Sequence, residues 1–273
     1  MRIAERSALP GFAATFGVTL LWLSLIVLIP LAALVLRPWE LGLLGFWRSV
    51  TEPRVLAALR LSFGTAAVAA AVNVPFGMLI AWVMVRYRFP GRNLADSLID
   101  MPLALPTAVA GISLTALFAS NGWIGALLTP LGIKVAYTPL GILVALIFVG
   151  LPFVVRMLEP VIMELPLEAE EAAATLGATR AQIIGRVVLP ALTPALLAGF
   201  GAALARGVGE YGSVIFIAGN MPMISEIAPL LIVIRLEQLD YAGAAALGLV
   251  MLGVSFIILL SLNLLQRRMA MRA

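Results

Sequence analysis

Arg206 and Glu210 stand four residues apart inside an otherwise apolar run, 191–218. Four apart on a helix puts two side chains on one face, where they can pair. Ionisable groups at membrane depth cost roughly 2.5–3.5 kcal/mol each on insertion scales, and persist when paired or beside a wet cavity. Two readings follow. In one, the two form a structural ion pair against neighbouring helices. In the other, Arg206 offers positive potential to a passing anion and Glu210 orients or neutralises it. Flanking Gly207, Gly209 and Gly212 serve both, by close approach of another backbone or by local unwinding. A permanent tight Arg–oxyanion site would oppose passage, since the ion must leave again, so a weak contact fits better. Asn73, inside the apolar run 61–85, is read first as a helix–helix hydrogen-bonding residue and second as a pore-lining one. With Arg206 and Glu210 it completes the candidate substrate path.

Other chemistries lack their residues. The chain has no cysteine and no histidine, which excludes disulfides, iron–sulfur clusters, HExxH zinc sites and histidine-dependent triads. Its one lysine, Lys134, lies in Gly-Ile-Lys-Val rather than in the Gly-Lys-Ser/Thr of a Walker A loop. ATP energy, if used, must be captured by a partner. No Ser or Asp constellation suggests a membrane enzyme.

Apolar types make up 62% of the 273 residues and charged types 12%. Mean hydropathy is +1.09. A soluble fold cannot hide that much apolar side chain, so the sequence predicts an all-α integral membrane protein. Uncharged or nearly uncharged runs at 12–36, 61–85, 101–119, 138–155, 191–218 and 242–265 predict six spans. The first run follows Arg2 and Arg6 as a signal peptide would, but its 25 residues exceed a signal core of about 7–15. It is read as a retained helix. The stretches 121–139 and 219–229 are read as loops carrying short surface helices.

Orientation follows from the loop arginines and lysine. Arg2, Arg6, Arg86, Arg88, Arg92, Arg156, Arg180, Arg186, Arg267, Arg268 and Arg272 fall on one side; Arg37, Arg48, Arg54, Arg60, Lys134 and Arg235 fall on the other. This bias predicts both termini in the cytoplasm. The expected organisation is a cytoplasmic N-terminus (1–11), one transmembrane domain (12–265) and a cytoplasmic tail (266–273). No internal repeat stands out, so an inverted-repeat secondary transporter is not supported.

Composition changes abruptly in the cytoplasmic loop at about 156–190. Glu159, Glu164, Glu168, Glu170 and Glu171 are five of the chain's 14 acidic residues. Pro166 can start a helix, with Glu168, Glu170 and Glu171 in its first turns, where carboxylates favour the dipole. Ala172, Ala173 and Ala174 continue it, and Gly177 can stop it at positive φ. Thr179 can cap a second helix to about Val188, and Pro190 marks entry to the fifth span. Leu176, Ile183 and Ile184 then face solvent unless something covers them. The loop is either a connector packed on its own bundle or a docking element for a partner.

Glu171-Ala172-Ala173, three residues, Gly177, nine residues, then Val187-Val188-Leu189-Pro190 resembles the EAA loop of ABC importer permeases, E-A-A-x3-G-x9-I-x-L-P, with Val187 in place of Ile. Further segments resemble sulfate/thiosulfate permeases, closest to the T-type subunit. They are Arg86-Tyr87-Arg88-Phe89-Pro90-Gly91-Arg92, Ala104-Leu105-Pro106-Thr107-Ala108-Val109-Ala110-Gly111, Pro152-Phe153-Val154-Val155-Arg156, Gly209-Glu210-Tyr211-Gly212 and Val214-Ile215-Phe216-Ile217-Ala218-Gly219-Asn220. Molybdate permeases share the EAA loop and a similar Gly-Glu-Phe-Gly segment, so another oxyanion stays open as substrate.

The resemblance implies a type I importer permease of the MetI-like fold in the bacterial inner membrane. It implies an ATPase-coupling surface on Glu168, Glu171, Ala172, Ala173, Gly177, Leu189 and Pro190, and no cofactor on this chain. ATP and Mg would sit on a partner ABC ATPase dimer. A homologous W-type permease and a periplasmic sulfate/thiosulfate-binding protein complete the implied assembly.

Overall fold

The computed structural model describes residues 12–270. The expected segment 1–11, with Arg2 and Arg6, and Arg272 lie outside the described residues. Helices account for most of the described chain: α1 (Ala14–Thr51), α2 (Pro53–Arg86), α3 (Arg92–Ala104), α4 (Thr107–Phe118), α5 (Pro139–Glu164), α6 (Leu167–Thr175), α7 (Arg180–Val208), α8 (Ala228–Glu237) and α9 (Tyr241–Ala270). Among them five are long and apolar enough to cross a membrane, or six if α3 and α4 count as one bent span.

The core is the seam where α2, α5 and α7 pack on one another. Alanines on α2 (Ala58, Ala66, Ala69, Ala70, Ala81) face Ile142, Leu146, Val154, Val155 and Leu158 of α5 and Leu192 and Leu204 of α7. Small residues let helix axes approach closely where lipid supplies no hydrophobic drive between helices. The most apolar stretch of α1 is 0% buried, so its cover comes from outside this chain. α9 packs on α7, α8 and α1 and leaves Phe256, Ile257 and Leu264 outward.

Two expectations about continuity are corrected. The run 101–119 is not one helix: α3 and α4 meet at 110°. Pro106 is the cause, because a proline drives the residue before it out of the helical region, and Leu105 is extended at φ −75°, ψ 136°. The run 191–218 is displaced as well. α7 starts eleven residues earlier, at Arg180, and ends at Val208. Pro190 therefore sits inside a helix. Its missing N–H is absorbed by a π-helical turn, Ile184–Val188, just before it. A second π turn, Ser24–Leu28, precedes Pro30 in the same way. The helix α8, in front of the last span, is a further element the sequence reading did not draw.

Polar clasps hold the two ends of the bundle. At one end Arg54 donates through Nε and Nη2 to both oxygens of Glu226, each at 2.7 Å. The Glu226 side chain is 2% exposed and that of Arg54 38%. This asymmetry makes a prediction. Arg54→Ala strands a buried carboxylate and is expected to cost about 3 kcal/mol. Glu226→Gln leaves only a half-exposed guanidinium and should cost less. Thermal unfolding in detergent checks the order.

Candidate coupling loop and translocation site

Arg206 lies in the last turn of α7, and Glu210 two residues beyond the helix end. The pair expected on one helix face forms nonetheless: Arg206 Nη1 donates to Glu210 Oε2. The chain unwinds over Gly209–Ser213 and resumes as a single turn, Val214–Ile217. Glu210 Oε1 accepts from the Ser213 backbone N–H at 2.9 Å and from Ser213 Oγ at 2.8 Å. Glu210 thus ties together its own turn and is 2% exposed, whereas the Arg206 side chain is 32% exposed. The carboxylate accepts three hydrogen bonds, whereas the guanidinium has donors beyond its one bond to Glu210.

This turn lies against the break between α3 and α4. A Cβ at Gly111 would overlap the carbonyl oxygen of Ser213, and one at Gly212 would overlap Thr107. Two segments about a hundred residues apart in the chain, 104–111 and 209–212, thereby meet backbone to backbone. Because the atom facing Gly111 is main chain, it cannot swing away. Gly111→Ala is expected to destabilise by about 1–3 kcal/mol, read as a lowered thermal midpoint, while an alanine at the open Gly253 should be silent.

Asn73 is 1% exposed. Its Nδ2 donates to the carbonyl oxygen of Ile147 at 3.2 Å across the α2–α5 seam, and its Oδ1 is buried with no partner. In this conformation it is a helix–helix contact.

At the opposite end of the bundle lie the C-terminal ends of α2 and α5 and the loop between α5 and α7. The 34 residues of α2 make about 50 Å of helix, longer than a hydrocarbon core of roughly 30 Å. Its last residue, Arg86, meets the loop at the Leu165 carbonyl oxygen and at Glu170. Gly177 stops α6 at φ 82°, a region costly for any residue with a Cβ. Thr179 caps the next helix in a reciprocal box with Gln182. Glu168, Glu171, Ala172, Leu189 and Pro190 are exposed and Ala173 is half-buried. Leu176 is 87% exposed at the tip, with Leu167 and Ile184 also uncovered by the chain.

Beside the loop is a charge cluster that sequence spacing did not reveal. Arg156 on α5 donates to both oxygens of Asp100, at 2.9 and 2.7 Å, and pairs with Asp96 at 2.9 Å and Glu159 at 2.6 Å. Asp96 and Asp100 lie in the second and third turns of α3, held by Arg156. One arginine thus fastens the first half of the broken span to α5. No group of three or more side chains that could hold a metal occurs among the described residues.

Five or six helices long and apolar enough to cross a membrane define a multi-pass membrane protein. The family model described as "Binding-protein-dependent transport system inner membrane component" matches residues 73–271, and the chain belongs to that family. It is similar to the sulfate transport system permease protein CysT of Salmonella typhimurium, at 48% identity over 272 residues, 100% of this chain and 98% of that protein. CysT of Escherichia coli K12 is likewise 48% identical, covering 99% of this chain and 98% of its own. Among solved structures, a bacterial ABC transporter involved in import of the acidic polysaccharide alginate matches with TM-score 0.75 at 16% identity, covering 93% and 94% of the two chains. The MetNI methionine ABC transporter matches with TM-score 0.55 at 18% identity, over 80% of this chain and 99% of that one. Both share the fold, and the expected MetI-like ABC permease architecture holds.

Proposed function

We propose that this chain is the membrane-spanning subunit of an ATP-driven sulfate/thiosulfate importer. It supplies the path, and a separate ABC ATPase dimer holding ATP and Mg supplies the work. The carrying observation is the full-length similarity to CysT proteins of sulfate transport systems. The bent pair α3–α4 counts as the sixth span, both termini lie in the cytoplasm of the bacterial inner membrane, and 12–265 is one transmembrane domain. The loop 156–190 then faces the cytoplasm, and the Arg54–Glu226 end faces the periplasm.

A bare dianion cannot cross hydrocarbon. A periplasmic sulfate/thiosulfate-binding protein would deliver it to the outer mouth of a path formed with a homologous W-type permease. Within that path Arg206 turns its outer donors to the anion, while Glu210, fixed by Ser213, aims the guanidinium and lowers its net attraction. The contact stays weak enough to release. Asn73 would join the path only if α2 and α5 parted. The hairpin carrying Glu168, Glu171, Ala172, Ala173, Gly177, Leu189 and Pro190 seats on the ATPase and moves the bundle as that dimer closes.

Proteoliposomes holding both permeases and the ATPase test this reading. Labelled sulfate should accumulate only with ATP and binding protein, and excess unlabelled thiosulfate should compete where molybdate does not. Competition by molybdate alone would move the assignment to the other oxyanion. Accumulation without the ATPase would point to a secondary transporter and defeat the reading.

A further inference from the structure

The hairpin's second arm runs on into the bundle as α7, but its first arm, α6, is joined to α5 by a weak link. Leu165 and Pro166 are both extended, at ψ 115° and ψ 130°, so no helical hydrogen bonding runs from α5 into α6. An arm hinged on two extended residues, as α6 is on the α5 side, absorbs a push instead of passing it to α2 and α5. Among the described residues, one side-chain bond joins α6 to another element, the ion pair of Glu170 with Arg86 at 2.9 Å.

Arg86 is placed to stiffen that link. It ends α2, and its Nη2 donates both to Glu170 Oε1 and, at 3.2 Å, to the carbonyl oxygen of Leu165. The guanidinium lies over the Trp82 ring at 5.2 Å from its centroid. The two side chains are only 15% and 23% exposed, so salt screens the pair little. One planar cation thus grips the end of α5, the first turns of α6 and its own helix. A lysine lacks the fork and the flat stacking face needed to hold all three.

We propose that Arg86 is a positioning residue for energy coupling: through Glu170 and the Leu165 carbonyl it locks the hairpin to α2 and α5, so that loop and spans move as one body. This rests on the hairpin's seating against an ATPase. Arg86 itself touches neither nucleotide nor transported ion.

The test uses the whole transporter in proteoliposomes, with labelled sulfate uptake, ATP hydrolysis and co-purification of the ATPase measured on one preparation. In Arg86→Ala and Glu170→Gln the ATPase should co-purify as in the wild type and hydrolysis should continue. Uptake per ATP should fall about fivefold. The exchange Arg86→Glu with Glu170→Arg should recover at least about twofold over Arg86→Glu alone, the signature of a pairwise interaction. An unchanged uptake per ATP in Glu170→Gln, which alters least and decides the matter if Arg86→Ala is not recovered, overturns the proposal. So does an exchange that performs no better than Arg86→Glu. A wild-type chain that never retains the ATPase would instead defeat the coupling reading itself, and is visible in the co-purification arm.

Discussion

Gly177→Pro should leave a transporter that hydrolyses ATP and accumulates almost no sulfate. Gly177 sits at φ 82° between α6 and the capped start of α7. Proline is fixed near φ −65°, so the hairpin's bend cannot survive. The spans do not depend on that bend, and the chain should insert and be recovered normally. Uptake per ATP should fall about tenfold or more, the scale of a lost coupling free energy between two sites. A bulky side chain at exposed Ala172 should act alike from the opposite direction, keeping the bend but blocking the seat. Normal coupling in both variants would reduce the loop to a connector.

Arg206→Ala should cut sulfate uptake about tenfold while assembly and basal hydrolysis persist, the scale expected when a charge-assisted anion contact is lost. The structural ion-pair alternative makes a different forecast. It blames the loss on the stranded Glu210 charge, so adding Glu210→Gln, which removes the charge and keeps an acceptor for Ser213, should restore uptake. The anion-contact reading expects the double variant to stay impaired, because nothing positive remains in the path. Glu210 keeps its Ser213 bonds in Arg206→Ala, which limits collapse of the turn. Uptake by the two variants, normalised to recovered complex, separates the readings.

What was legible in the sequence was what depends on neighbours in the chain. Apolar runs found the spans because hydrocarbon thickness fixes their length. The Gly177 stop and the Thr179 cap were readable because caps act over three or four residues. Breaks were harder. Pro75, Pro152 and Pro160 lie inside helices that run on, whereas Pro106 ends one. The proline residue type is the same at all four positions, so composition does not carry the difference. Pro190 misled the other way, since a π turn let α7 pass through it.

The clasps were not legible at all. Arg156 and Asp100 are separated by 56 positions, Arg86 and Glu170 by 84, and Arg54 and Glu226 by 172. No local rule pairs residues at such distances. One signal was available: an arginine ending a long span, as Arg86 does, needs an anion close by once its helix is packed. Counting acidic residues in the adjoining loop narrows the choice without selecting Glu170. The Arg206–Glu210 pair was legible by spacing, but the role of Ser213 as the second holder of the carboxylate was not.

The chain's lack of cysteine offers the most direct measurement. Leu176→Cys, at the 87% exposed tip of the hairpin, gives this chain a single thiol, which can be labelled with a photoactivatable maleimide before the complex is assembled. If work enters through the hairpin, illumination should join this chain to the ATPase subunit, with a yield that changes when ATP closes the dimer. A tip that stays open to soluble reagents and captures no ATPase while sulfate still accumulates would contradict the division of labour between bundle and motor.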